Sequence, residues 1–209
     1  MKREDIIRLS YTKECFAVVI RHSVREVITD ARQSLYQLLT PEGKELARNF
    51  GMKLPKTKPI RLYHSHVERC KETAECIRES FEGQVHSLSC HDLLTGFYVF
   101  DPEPILGDVN ECGNFQFISN WFKGLYSETH IMNPYTARQK MLNAFKHNYN
   151  ENYLDIYISH DWNIALLSSI YYDINKHNYP WPGFMHGILL EHNENKFLFS
   201  CEPDQKVII

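Results

Sequence analysis

Short apolar runs recur along the chain, separated by stretches whose apolar residues follow a helical spacing. The runs at 15–20, 59–64, 84–90 and 153–159 have the length of strands, and most are rich in β-branched and aromatic residues. The first run is almost wholly apolar, which is typical of a parallel strand that is buried on both faces. These four runs predict the strands of a buried sheet.

Helical signals lie between the runs. Thr40 is a favourable N-cap residue and Pro41 a favourable first helical residue, so a helix is predicted to start there. Apolar residues recur at three- and four-residue steps in the segments that follow the second and fourth runs. The predicted helices are 5–11, 41–50, 67–81, 115–126, 135–147 and 162–172.

The alternation of strands and helices predicts an α/β fold with a mainly parallel central sheet. Two further runs, 184–191 and 196–200, flank a polar turn and predict a C-terminal hairpin. A length of 209 residues suits one domain, 1–209. The segment 91–134 is rich in aromatic residues and glycines and is predicted to be an insert that forms a small cap.

Composition and charge narrow the function classes. Lys and Arg number 23 against 26 Asp and Glu, a net charge of −3, which argues against a protein that coats nucleic acid. No apolar run approaches the ~20 residues of a membrane helix, and no secretory signal is evident. The 6 cysteines are scattered without a C-x-x-C pair. We therefore expect free thiols, no membrane contact and a cytoplasmic location.

Polar side chains that suit phosphate chemistry follow three of the predicted strands. They are Arg21, His22 and Arg25 after the first strand, Arg69 after the second, and His160 and Asp161 after the late one. The carboxyl ends of parallel strands meet at one edge of a sheet, where ligands bind. Guanidinium groups bind phosphate oxygens in pairs, a histidine can attack phosphorus, and an acid can protonate a departing alcohol.

Four segments resemble motifs of the histidine phosphatase superfamily, and they occur in the family's order. R-H-S-V-R at 21–25 is similar to R-H-G-x-R, and L-T-P-E-G at 39–43 is similar to the L-T-x-x-G helix start. The segment 65–74 matches S-x-x-x-R-x-x-x-T-A, and H-D-W-N-I at 160–164 matches H-D-x-N-[IL]. These motifs are closest to the acid phosphatase and phytase branch.

The resemblance implies a three-layer α/β/α sandwich of the phosphoglycerate mutase type, with no cofactor and no metal. It implies that His22 is the nucleophile that becomes phosphohistidine. Asp161 would donate a proton to the leaving group and then activate water. The groups that would hold the phosphoryl oxygens are Arg21, Arg25, Arg69 and His160.

The sequence departs from that branch in two places. Ser23 stands where the family usually has glycine, and the chain is short, as in the phosphoglycerate mutase branch. In the mutase branch the acid is a Glu four residues before a Gly, and here Asp92 precedes Gly96 at that spacing. Asp92 is therefore the alternative proton donor.

The function expected from these residues is metal-independent hydrolysis of a phosphate monoester with an acidic pH optimum. A small-molecule ester is the expected substrate, and a phosphopeptide is not excluded. The alternatives are a phosphomutase of the same fold and a phosphate-binding scaffold that has lost turnover. The oligomeric state is left open.

Overall fold

The computed structural model describes residues 1–12, 14–176 and 179–209, and seven strands of this part form one sheet. In spatial order the strands are β3, β2, β4, β1, β5, β6 and β7. Their bounds are β1 Cys15–Arg21, β2 Ile60–His64, β3 Val85–Cys90, β4 Leu154–Ser159, β5 Gly187–Asn193, β6 Lys196–Glu202 and β7 Gln205–Ile208.

The sheet has a parallel half and an antiparallel half. Strands β3, β2, β4 and β1 run parallel to one another, and the β1–β5, β5–β6 and β6–β7 pairs are antiparallel. Every residue of β1 and β4 is buried, as the apolar run at 15–20 predicts for a strand covered on both faces. The expected α/β fold with a sheet that is parallel at its core is confirmed.

Helices cover both faces of the sheet. Their bounds are α1 Arg3–Ser10, α2 Pro41–Met52, α3 Glu68–Ser80, α4 Pro102–Phe122, α5 Pro134–Asn148 and α6 Asp161–Ser168. Short 3-10 helices occupy Ala31–Tyr36 and Asp92–Leu94. Among the described residues, no helix combines the length and apolar character that crossing a membrane requires.

Alternate residues of the central strands pack into two separate hydrophobic cores, one on each face of the sheet. Val18 and Ile156 pack with residues of α1, α2 and α3 on one face. Val19 and Tyr157 pack with residues of α4, α5 and α6 on the other face. Period-two alternation in β1 and β4 therefore builds the three-layer arrangement.

The segment 91–134 is more helical than its sequence suggests. The expected short helix at 115–126 is the second half of α4, which already starts at Pro102. Proline at the first helical positions needs no N–H partner, so the Asp-Pro and Glu-Pro pairs start this helix rather than break it. Gly113, with φ 79° and ψ 163°, kinks α4 between its two halves.

The C-terminal part differs from its prediction in three details. The expected strand 184–191 starts only at Gly187, because Met185 has φ 59° and turns the chain beforehand. The helix expected over 162–172 ends at Ser168. The hairpin of β5 and β6 is present, and β7 extends it to a third antiparallel strand that the polar 203–206 segment did not indicate.

Candidate active site

Three neighbouring strands deliver the expected polar residues to one edge of the sheet. β4 lies between β1 and β2, with Arg21 paired to Ser159 and His64 paired to Ile158 at the carboxyl ends. The His22 backbone N–H donates to Ser159 O at 2.8 Å, which prolongs the β1–β4 ladder into the site. The topology therefore places the residues after these strands side by side.

The imidazole of His22 is buried and is held in one orientation. Its Nδ1–H donates to the Ser23 carbonyl at 2.7 Å. Its Nε2 accepts a hydrogen bond from Arg69 Nε at 2.9 Å. This pair of bonds fixes the tautomer with the proton on Nδ1, so the lone pair is on Nε2.

Arg69, in the first turn of α3, bridges the two imidazoles of the site. Besides His22, its guanidinium reaches His160, where Nη2 donates to Nδ1 at 3.1 Å. The two rings meet edge to face with centroids 5.5 Å apart. A third donor, Nη1, bonds the Ser34 carbonyl of the 3-10 helix. One planar fork therefore links three segments that are distant in sequence.

Ser65 and Cys70 hold His160 from behind. Because His160 Nδ1 accepts from Arg69, its Nε2 carries the proton and donates to Ser65 Oγ at 2.8 Å. Ser65 Oγ also accepts from the Val67 backbone N–H at 3.2 Å. Cys70 Sγ lies 3.6 Å from the same Nε2. Ser65 therefore orients His160 and also bonds the backbone of Val67, the residue that precedes α3.

Arg21 brings Asp161 and an aromatic ring into the same cluster. Its Nη2 pairs with Asp161 Oδ2 at 3.0 Å and its Nη1 donates to Pro182 O at 2.7 Å. Its guanidinium carbon lies 4.2 Å from the centre of the Phe184 ring, a cation–π contact. Within the described residues its buried Nε–H has no hydrogen-bond partner. A buried donor of this kind favours an acceptor in the adjoining space.

Arg25 is half-buried and completes the positive end of the site. Burial, and then repulsion from Arg69 and Arg21, lower the pKa of Arg25 to about 10. Arg21, Arg25 and Arg69 line the same cavity, and within the described residues Asp161 is the one carboxylate that forms an ion pair with any of them. An arrangement with this excess of positive charge is suited to an anion.

Both imidazoles are neutral near pH 7. Burial, with the nearby His160, Arg69 and Arg21, lowers the pKa of His22 well below its ordinary value of 6.5. Burial, with Arg69, Arg21 and Arg25, lowers the pKa of His160 in the same way. The Nε2 lone pair of His22 therefore stays available in mildly acidic solution.

The serine at position 23 is accommodated without backbone strain. Ser23 is fully buried, and its φ is not positive. Its hydroxyl donates to the Gly43 carbonyl at 2.7 Å, and its backbone N–H donates to Thr73 Oγ1 at 3.1 Å. A Cβ on Gly43 would lie 2.0 Å from the Val24 carbonyl oxygen, so α2 approaches this loop as closely as glycine allows.

The structure does not bring Asp92 to the cluster. Its side chain is 88% exposed and pairs with His66 Nε2 at 2.7 Å. Asp161, in contrast, lines the cavity that Arg21 and His22 line. Within 1–12, 14–176 and 179–209, the active-site cluster included, no group of three or more His, Cys, Asp or Glu side chains is placed to hold a metal ion.

A cavity of about 460 Å³ opens in front of these residues. One end is formed by the strand-end cluster of Arg21, His22, Arg25, Arg69 and His160. We call this the phosphate end. Much of the remaining lining comes from the segment 28–35 and from the first half of α4, with further residues around Thr95 and Trp162. Sequence reasoning missed Phe184, Pro182 and Ser34, because their contacts with the arginines are set by tertiary packing.

A match to a family model and matches to solved structures both support the resemblance. Residues 18–90 match the model of the histidine phosphatase superfamily, branch 1. No curated protein gives a significant match. The branch closest in motifs, that of the acid phosphatases and phytases, stays a prediction, since the matched model is that of branch 1.

Several solved structures share the fold at low sequence identity. YhfR of Bacillus stearothermophilus is 17% identical, with a TM-score of 0.63 over 90% of this chain and 96% of that chain. A candidate alpha-ribazole-5'-P phosphatase of Escherichia coli K-12 is 15% identical, with a TM-score of 0.56 over 87% and 92%. A mutant phosphoserine phosphatase of Entamoeba histolytica, in complex with phosphoserine, is 15% identical, with a TM-score of 0.55 over 88% and 94%. The resemblance that the motifs indicate is therefore confirmed: the chain has the phosphoglycerate mutase-like fold of the histidine phosphatase superfamily.

Proposed function

We propose that the protein is a phosphatase that hydrolyses phosphate monoesters through a phosphohistidine formed on His22. The observation that carries this proposal is the bridge made by Arg69, which donates to His22 Nε2 and to His160 Nδ1 at 2.9 and 3.1 Å. A phosphoryl group bound there would take the place of these contacts. Its oxygens would meet Arg69 while its phosphorus faces the Nε2 lone pair.

The first step transfers the phosphoryl group to His22. Nε2 attacks phosphorus, an N–P bond forms, and the P–O bond to the alcohol breaks. Asp161, protonated in the substrate complex, gives its proton to the departing oxygen, so the alcohol leaves neutral. A bound dianion competes with Asp161 for Arg21, which frees the carboxyl group from its ion pair of 3.0 Å.

The second step releases phosphate. Asp161, now a carboxylate, accepts a proton from water, and the water oxygen attacks phosphorus as the N–P bond breaks. The products are inorganic phosphate, free His22 and protonated Asp161, which restores the starting state. This assignment favours Asp161 over Asp92, because Asp161 lines the cavity and Asp92 is exposed beside His66.

The arginines supply the charge stabilisation that the reaction needs. Phosphoryl transfer passes through a loose transition state, so catalysis depends on positioning and on neutralising the equatorial oxygens. Arg21, Arg25 and Arg69 would do this together with His160, which a bound dianion would help to protonate. We therefore expect activity that survives a chelator, and no cofactor.

The pH dependence follows from two groups. Neutral His22 is retained well below pH 6.5 because its pKa is lowered by burial and by the adjacent cations. The first step also needs a proton for the departing oxygen, so the rate is expected to decline as the solution becomes basic. The proposed enzyme is thus an acid phosphatase.

The proposal also covers the domain organisation, the substrate and the location of the enzyme. We propose one domain, 1–209, in which 91–134 caps the cavity, and a small phosphate ester or a phosphopeptide as substrate. All six cysteines carry free thiols in the structure, which supports a reducing compartment such as the cytoplasm.

A simple assay tests the proposal. p-Nitrophenyl phosphate is offered to the wild type and to His22→Ala with EDTA present, and His147→Ala, an exposed histidine on α5, is the matched control. We expect chelator-resistant hydrolysis by the wild type and the control, and a loss of at least about 10⁴-fold in kcat for His22→Ala. Full activity of His22→Ala, or loss of wild-type activity with EDTA, would contradict the proposal.

A further inference from the structure

The cavity is larger than a phosphate group requires. At the volume that a water molecule occupies, about 30 Å³ per heavy atom, the five heavy atoms of a phosphate group fill on the order of 150 Å³. The cavity holds about 460 Å³. On the same scale, the remaining space accommodates roughly ten heavy atoms of a leaving group.

Apolar side chains line that remaining space from two sides. Ile105, Leu106 and Val109 come from the first half of α4, where residues four apart share one helix face. Ile28 and Leu35 line it from the segment across the cavity. We call these five residues the apolar wall.

Hydrogen bonds tie the two sides of the wall together. Asn110, on α4, accepts from the Ala31 backbone N–H through Oδ1 at 2.8 Å. Its amide nitrogen donates to Asp30 Oδ1, also at 2.8 Å. Arg32 Nε adds a bond to Glu103 Oε2 at 3.2 Å. The wall is therefore formed in advance of any ligand.

The wall offers no free cation to a second anionic group. Among the described residues that line the cavity, Arg32 is the one arginine or lysine outside the phosphate end, and it pairs with Glu103 and Asp30 at 3.2 and 3.9 Å. A carboxylate or second phosphate on the substrate would lose hydration there, and the arginine it would meet is already paired with two carboxylates. Apolar groups gain from the same desolvation.

We propose that this cavity selects phosphate monoesters whose alcohol part is uncharged and mainly apolar, an alkyl or aryl group of up to roughly ten heavy atoms. The inference rests on the proposed function, since it concerns the leaving group of the same reaction. Leu106 and Leu35, one on each side of the cavity, are the residues that set this preference.

The test compares esters whose alcohols have similar leaving-group chemistry. kcat/KM is measured with EDTA for n-hexyl phosphate, ethyl phosphate, phosphoserine and 3-phosphoglycerate. The four extra methylene groups of the hexyl ester are expected to raise kcat/KM at least about tenfold over ethyl phosphate. The hexyl ester is also expected to exceed both charged esters by at least about tenfold.

Two variants and a control test whether the apolar wall causes the preference for the hexyl ester. Leu106→Gln, and separately Leu35→Gln, should reduce the hexyl-to-ethyl ratio by about fivefold or more, because a polar amide replaces apolar contact. Leu35 is 56% exposed, so that variant is expected to fold even if Leu106→Gln does not. The control Leu125→Gln changes a leucine that is 66% exposed and outside the cavity, and should keep the ratio.

The outcomes separate this inference from the proposed function. A ratio near one, or a preference for phosphoserine or 3-phosphoglycerate, would overturn the apolar selection while leaving the phosphatase intact. A ratio that the variants do not change would overturn the role of the wall. If no ester is hydrolysed, the proposed function itself fails and takes the inference with it.

Discussion

The two ends of the cavity are built by different means. At the phosphate end, the side chains come from residues that follow β1, β2 and β4. Four of them, Arg21, His22, Arg69 and His160, are held by bonds of 2.7–3.1 Å to a neighbour or the backbone. At the apolar wall, the residues come from a helix that kinks at Gly113 and from a segment tied to it through Asn110. In the proposed enzyme, the sheet would therefore position the reacting groups, and the peripheral helix would determine which esters bind.

This difference has a physical basis. Charged groups can be buried only where partners compensate for lost hydration, so their positions are constrained to fractions of an ångström. Apolar contact is non-directional and tolerates exchange of side chains of similar size. Substitutions at the phosphate end should therefore reduce activity more than comparable substitutions at the apolar wall.

Arg69→Ala should have the largest effect. It removes the donors to both imidazoles and a charge at the transition state, so kcat/KM is expected to fall by about 10²–10³-fold. Arg69→Lys should recover little of this, because an ammonium group cannot bridge the two rings as a fork does. Steady-state kinetics would measure this loss, and the control is Arg78→Ala, which changes an exposed arginine on the same helix. Near-normal activity of Arg69→Ala would mean that the phosphate end lies elsewhere.

Asp161→Asn should act selectively on esters with poor leaving groups. Loss of the proton donor is expected to lower kcat for an alkyl phosphate by about 10²-fold, and much less for p-nitrophenyl phosphate, whose leaving group needs no proton. Asp92→Asn should change both substrates by less than about twofold, because Asp92 is 88% exposed and pairs with His66. The reverse pattern would assign the proton to Asp92.

Alanine substitutions at two glycines, one near the phosphate end and one near the apolar wall, compare how sensitive stability and kcat are at the two ends of the cavity. Gly43→Ala would place a Cβ 2.0 Å from the Val24 carbonyl oxygen, displacing the loop that carries Ser23. We expect a loss of about 1–3 kcal/mol in the free energy of unfolding and a drop of roughly tenfold in kcat. Gly107→Ala, on α4, meets Arg32 only at 3.6 Å and should leave stability unchanged or raise it by up to about 1 kcal/mol. Urea unfolding and steady-state kinetics of the two variants measure these effects. Equal losses in Gly43→Ala and Gly107→Ala would contradict the difference in sensitivity between the two ends.

Stability should also depend on pH through the phosphate end. Folding lowers the pKa of His22 and His160, so the unfolded chain binds more protons below pH 6.5. The free energy of unfolding is therefore expected to fall as the pH drops below that value, by at most about 1.4 kcal/mol per pH unit for each histidine. Urea titrations from pH 8 down to about pH 5 would show it. His160→Asn should flatten the decline, whereas the exposed His147→Asn should not; an unchanged slope in His160→Asn would contradict the assignment.

Much of the phosphate end could be predicted from the sequence, whereas few of the contacts between distant segments could. His22, Arg69 and Asp161 follow strands whose apolar runs are local signals, and parallel topology then requires that these ends meet. The bridge from Arg69 to Ser34, the ring of Phe184 over Arg21 and the early start of α4 depend on packing between distant segments. Periodicity within a short window carries no information about such contacts.

Trapping the covalent intermediate tests the central claim most directly. The enzyme is mixed with a phosphate ester, quenched in base to preserve phosphohistidine, digested and examined by mass spectrometry, with His147→Ala and His22→Ala in parallel. The account predicts one phosphoryl group on the peptide that contains His22, in the wild type and in His147→Ala, and none in His22→Ala. Turnover with an unmodified His22, or a phosphoryl group on any other residue, would contradict it.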